Sequence, residues 1–264
     1  EPYAYEHNRW FFDKSVWQKM FRTMSGCGFN AIVLANTHPF PFVIDMSVYP
    51  DAKVVDDATA GEYQEMHHWV LETALDYEIA PYLLFFPISY PDSLLKSRRI
   101  KAQDISQPTD FAVEYTNYCV RTLLASYTEL AGLIVDMGEG IDGNAERFVQ
   151  QAVVDAMEAV RPDVPLYLRG WQGEPESLIG RVKRRGSHRI VYSVKYTGDC
   201  IVDETPDPLF ARWVEAAGAE NVSAEIVASN FEPWTSFSFD VAEGVASNIE
   251  RLGCDGFSLQ PLSM

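Results

Sequence analysis

The chain is short of positive charge, of paired cysteines and of long apolar runs, and each shortage removes a class of function. Against 38 acidic residues there are 21 Lys and Arg, a formal net charge of −17 over 264 residues. Long-range attraction to nucleic acid or to an anionic membrane is therefore not expected. The one basic cluster, Lys183-Arg184-Arg185, reads as a solvated helix end. No apolar run reaches the length of a bilayer span, and no basic-then-apolar leader opens the chain. Its first residues are Glu1-Pro2 without an initiator Met, so a removed leader or upstream domain is expected and the compartment, cytoplasmic or secreted, stays open. Cys27, Cys119, Cys200 and Cys254 are far apart, which fits neither a zinc framework nor a disulfide scaffold; buried free thiols are the expectation. With His67 and His68 adjacent on a helix and the other histidines dispersed, no metal site is expected. No glycine-rich phosphate loop follows the first clear strand, where Asn36-Thr37-His38-Pro39 stands instead, so no dinucleotide or other cofactor is expected.

What is present is an alternation of short apolar strands and amphipathic helices. Strand runs occur at Ala31–Leu34, Pro81–Phe86, Leu133–Val135, Leu166–Leu168, Ile190–Val194, Val222–Val227 and Gly256–Leu259. Helical periodicity covers Ser15–Ser25 (Val16, Met20 and Met24 on one face), Ala60–Tyr77, Asp110–Ser126, Ala145–Val160, Glu176–Lys183, Pro208–Ala217 and Val241–Leu252. Repeated βα units predict a parallel sheet covered by helices. Seven visible strands in a single domain of this length favour a closed α/β fold, a (β/α)8 TIM-type barrel, over an open sheet. The remaining strand is expected at Tyr3–Trp10 or is incomplete. No linker divides residues 1–264.

In such a barrel, chemistry gathers just past the C-terminal ends of the strands. Sorting the polar residues by that rule collects Asn36 and His38, Asp136 and Glu139, Arg169 and Trp171, Lys195 and Asp199, and Glu225, Glu232 and Trp234. Taken singly, each has a bland reading. Glu139 could cap a helix, Asp199 a turn, and Glu232 could be a plain loop acid; Glu225 could be a buried acid paired with Lys195, and the tryptophans could be core. Taken together, acids interleaved with aromatics and amides suit sugar recognition, and two carboxyl groups suit glycosidic cleavage. Glu139, in the apolar-to-glycine run Ile134-Val135-Asp136-Met137-Gly138-Glu139-Gly140, is the candidate proton donor.

Four segments resemble glycoside hydrolase family 67, the α-glucuronidases. They are Gly28–Asn36; Asp136-Met137-Gly138-Glu139-Gly140; Lys195-Tyr196-Thr197-Gly198-Asp199 with the downstream Glu204–Phe210; and Glu225–Glu232. The resemblance implies a general acid at Glu139 and a water-activating pair at Asp199 and Glu232, with Glu225 as a rival because the distal Glu falls one residue late. It implies an inverting hydrolase that releases an α-linked glucuronic or 4-O-methylglucuronic acid from an oligosaccharide substrate. Arg169 or Lys195 would neutralise the uronate, and Asn36, His38, Asp136, Trp171, Glu225 and Trp234 would line the sugar site. Flanking accessory domains or a homo-oligomer are the protein partners it leaves open. Two alternatives stand beside it: a retaining glycosidase using Glu139 and Glu225 on another sugar, and a non-catalytic glycan-binding barrel.

Overall fold

The fold is read from a computed structural model that describes residues 9–101, 104, 107–136, 145–170, 175–179, 182, 189–197, 203–227 and 239–260, with backbone alone at 145, 146, 176, 177 and 260. Among the described residues seven strands form one parallel sheet: β1 Ala31–Asn36, β2 Ala80–Phe85, β3 Gly132–Asp136, β4 Leu166–Arg169, β5 Ile190–Lys195, β6 Val222–Val227 and β7 Gly256–Gln260. Their spatial order is their chain order, each pairing with the next. This unbroken succession of parallel βα units is the arrangement of a TIM-type barrel. Among the described residues β1 and β7 are the two edges. Of the expected early strand, Arg9 and Trp10 lie in a 3-10 turn, Arg9–Phe12, and Tyr3 to Asn8 lie outside the described residues.

The helices are α1 Lys14–Gly26, α2 Phe40–Val43, α3 Asp57–Asp76, α4 Asp92–Ser97, α5 Asp110–Ser126, α6 Ala145–Phe148, α7 Asp155–Val160, α8 Pro175–Leu178, α9 Pro208–Ala217 and α10 Phe239–Leu252. Side chains start several of them by capping orphan N–H groups. Asp13 accepts from Ser15 N, Asp56 from Thr59 N, Thr109 from Ala112 N and Asp207 from Leu209 N. After α1, Gly28 (φ +83°) supplies a left-handed turn that an L side chain disfavours.

Two details of the helices differ from the periodic reading. In α1 the buried stripe is Trp17 and Phe21, while Val16 is 40% exposed. The aromatic pair wins because it covers more apolar area against Met66, Val70 and Ile79. The segment Ala145–Val160 is interrupted by a π-helical stretch, Val149–Val154. Phe148, Val149, Val153 and Val154 along this stretch are all buried. The thiols differ too: Cys119 is buried, Cys254 intermediate and Cys27 exposed, and Cys200 lies outside the described residues.

The main core lies between the sheet's outer face and the helices, with Phe85, Leu133, Val135, Leu166 and Leu168 against α5 and its neighbours. On the inner face, register aligns Val33 with Tyr82 and Tyr82 with Gly132. A Cβ on Gly132 would come within 2.7 Å of the Tyr82 ring and 2.8 Å of the Pro165 carbonyl oxygen. The tyrosine thus occupies the space that the glycine leaves. Tyr82 meets Tyr167 edge to face, centroids 5.5 Å apart, and Tyr167 donates to Asp255 (2.7 Å), which also holds Arg189 (2.6 Å). Because the Pro165 contact is backbone, Gly132→Ala should destabilise the fold by about 1–3 kcal/mol. Urea denaturation measures it, and a change within 0.5 kcal/mol (roughly the scatter of surface substitutions) would show that the inner face is not packed this way.

Candidate functional site

Parallel register carries the inner face upward from the tyrosines to the C-terminal ends of the strands. Asp136 is in register with Arg169, Arg169 with Ser193, and Ser193 with Ser223; one step further, Lys195 is in register with Glu225 and Glu225 with Ser258. Because side chains alternate along a strand, Tyr167 and Arg169 on β4 share a face. So do Ser193 and Lys195 on β5, and Ser223 and Glu225 on β6. The end of the barrel that holds active sites in this architecture therefore carries a ring of four charges with small residues between them.

Arg169 joins three of these strands. Its Nε donates to Glu225 Oε2 at 2.8 Å, its Nη2 donates to Glu225 Oε1, and its Nη1 donates to Asp136 Oδ2. The side chains of Asp136 and Glu225 are 1% and 5% exposed, that of Arg169 15%. Two carboxylates against one guanidinium leave one negative charge among these three, and Lys195 lies in register with Glu225 on the neighbouring strand. Buried charges require such compensation, and removing one partner of a buried pair costs about 3–5 kcal/mol. The planar fork of arginine on a carboxylate sets orientation as well as charge, which lysine cannot reproduce. Gly170, directly after Arg169, lets β4 lie close on the helix layer: a Cβ there would sit 2.8 Å from the buried Trp213 ring. Gly170 N also donates to Ser193 O at 3.0 Å.

Of the residues that the sequence singles out, the structure thus brings together Asp136, Arg169, Lys195 and Glu225. Glu225 takes its bidentate partner from β4, two strands away, as well as lying in register with Lys195. Asn36 and His38 are placed differently. Asn36 falls on the parity of Ile32 and Leu34, in register with the buried Phe85, and its Oδ1 accepts from His38 N at 2.8 Å. His38 points into the helix layer, where Nε2 meets the Tyr115 hydroxyl at 3.0 Å and the ring packs on Phe40 and Tyr115. The candidates Glu139, Trp171, Asp199, Glu232 and Trp234 lie outside the described residues, as does Lys183-Arg184-Arg185. Sequence reading missed Ser193 and Ser223, buried on the same inner face. The available signal was a serine two residues before Lys195 and before Glu225, inside otherwise apolar strands.

No protein-family model and no curated protein matches this sequence. Solved structures do match. A GH138 enzyme targeting pectin rhamnogalacturonan II superposes over 98% of this chain with a TM-score of 0.86 at 23% identity. The likeness establishes a TIM-type barrel. The chain covers 32% of that protein's length, so it corresponds to about a third of the larger molecule. A hyperthermophilic endo-β-1,4-glucanase matches 93% of the chain and 82% of its own, with a TM-score of 0.60 at 11% identity. An exo-β-1,4-mannosidase from Opitutaceae bacterium strain TAV5 matches 93% of the chain and 48% of its own, with a TM-score of 0.61 at 12% identity. At these identities the likeness is one of fold, and none of the three is described as a family 67 enzyme.

The His38 environment has a measurable consequence. Burial pushes its imidazole down from 6.5 to about 3, and among the described residues Nδ1 has no hydrogen-bond partner. The folded chain therefore holds His38 neutral, whereas the unfolded chain protonates it below about pH 6.5. Its contribution to stability is complete above that pH and is lost as pH falls from 6.5 toward 3, by at most about 1.4 kcal/mol per pH unit. Comparing the stability of His38→Gln and wild type between pH 7 and pH 5 by urea denaturation should show a flatter pH slope in the variant; equal slopes would contradict a histidine held neutral in the helix layer.

Proposed function

We propose that this chain is the barrel of a glycoside hydrolase that cleaves an α-linked uronic acid from a plant-type oligosaccharide, with inversion. The observation that carries the reading is the charged ring on the C-terminal ends of β3 to β6, Asp136, Arg169, Lys195 and Glu225. Fold likeness to a barrel enzyme that targets a pectin supports the same substrate class, since pectins are rich in uronic acids. In a chain with net charge −17, an anionic sugar needs a local cation. Arg169 has three of its five N–H donors committed to Glu225 and Asp136, so the uronate contact falls to Lys195.

Glu139 would donate a proton to the leaving oxygen, and Asp199 with Glu232 would deprotonate the attacking water. Inversion requires carboxyl groups roughly 6.5–9.5 Å apart, to leave room for that water, against about 5–5.5 Å for retention. Glu139 follows Asp136 by three residues, so the end of β3 sets where the proton donor begins. A second reading is favoured by the place of Glu225 in the ring: a retaining glycosidase with Glu225 as nucleophile. The anomer first released, followed by proton NMR, separates the two.

The test of the first reading is hydrolysis of glucuronate- or 4-O-methylglucuronate-capped xylo-oligosaccharides. Glu139→Gln should lower kcat about 100- to 10,000-fold on these substrates, whose leaving groups need protonation, with binding largely retained. Unchanged turnover would remove Glu139 from the mechanism. Sugar binding without hydrolysis, insensitive to the substitution, would instead mark a glycan-binding barrel.

A further inference from the structure

We propose that Arg169 is a positioning residue: it fixes the distance between the end of β3, which launches the Glu139 segment, and Glu225 on β6, and does not itself hold the sugar. This inference rests on the glycosidase reading above. Its geometric basis is the span of the guanidinium. From β4, Nη1 reaches Asp136 on the adjacent β3, while Nε and Nη2 reach both oxygens of Glu225 on β6, passing β5 on the way. Ser193 and Ser223 occupy the register positions along that path, and their small side chains leave it open. Asp136 and Glu225 are buried, so neither carboxylate has bulk water as an alternative partner.

The consequence for catalysis follows from the small tolerances of glycosidic cleavage. The separation of the carboxyl groups decides whether a water fits between them and which stereochemical course is open. A strut that ties β3 to β6 through a rigid planar fork holds the two strand ends from which Glu139 and Glu232 follow in the chain, whereas a single ammonium on a flexible stem does not. Arg169 therefore acts through Asp136 and Glu225, on the turnover step. A residue holding the substrate carboxylate would act chiefly on binding.

The experiment is steady-state kinetics of Arg169→Lys on a uronate-capped oligosaccharide that wild type hydrolyses. The expected result is a kcat lower by about 100-fold, the scale of a 1 Å misplacement, with KM within about threefold of wild type. A KM raised about tenfold or more with kcat retained would make Arg169 a substrate contact and overturn the proposal, as would wild-type values for both constants. Should circular dichroism show Arg169→Lys unfolded, Asp136→Asn gives the same readout, because it keeps shape and one acceptor oxygen while removing the charge. It should lower kcat about tenfold at constant KM, the scale of a weakened charged hydrogen bond, and an unchanged kcat overturns the proposal. Wild-type inactivity on every uronate substrate overturns the uronate-hydrolase reading and this role with it. An active wild type with unaffected variants removes the positioning role alone.

Discussion

The guanidinium of Arg169 reconciles three strands that the backbone alone holds only pairwise. Ladder hydrogen bonds join β3 to β4, β4 to β5 and β5 to β6, but nothing in that pattern ties β3 to β6 across the inner face. The fork on Glu225 and the contact with Asp136 do so, and they do it where the interior excludes most water. Two buried carboxylates are tolerable there because a cation lies between them; a second cation, Lys195, is in register with Glu225. The serines on β5 and β6 leave room for this bridge, and Gly170 lets the strand that carries it lie against Trp213. Toward the N-terminal ends of the strands the inner face carries Tyr82, Tyr167 and Asp255. The described inner face thus passes from aromatic contact to charge, and the charged end is where barrels of this kind hold their active sites.

Much of the fold was legible in the sequence because strand and helix periods were clean. The seven apolar runs became the seven strands, most extended by one or two residues, because β-branched and aromatic side chains favour strands. Legibility failed where two patterns competed. In α1 the methionine stripe with Val16 and the aromatic stripe of Trp17 and Phe21 overlap, and only packing decides between them. The rule that polar residues past a strand end face the site also proved too coarse. Asn36 ends β1 on the parity of Ile32 and Leu34, so alternation sends it toward the helices, and His38 follows into the contact with Tyr115. The same alternation, applied backward from Lys195 and Glu225, would have found Ser193 and Ser223. The pairing of Arg169 with Glu225 was not legible, because it joins residues 56 apart on non-adjacent strands.

The charged ring bears on function in a specific way. Within it, acids and bases are matched, so an incoming neutral sugar meets hydrogen-bonding partners without a large field. On the proposed reading an incoming uronate adds a negative charge, and the cation assigned to it is Lys195 at the end of β5. Substrate choice would then depend on one ammonium at the end of β5, and turnover on the strand ends that Arg169 holds apart.

The most direct measurement is calorimetric titration of the protein with a uronic-acid-capped oligosaccharide and with the same molecule after reduction of its carboxyl group to a primary alcohol. The account predicts that the uronate binds at least about tenfold more tightly, a difference of roughly 1.4 kcal/mol, and that Lys195→Met abolishes the preference. Equal affinity for the two sugars, or a preference that survives Lys195→Met, would contradict it.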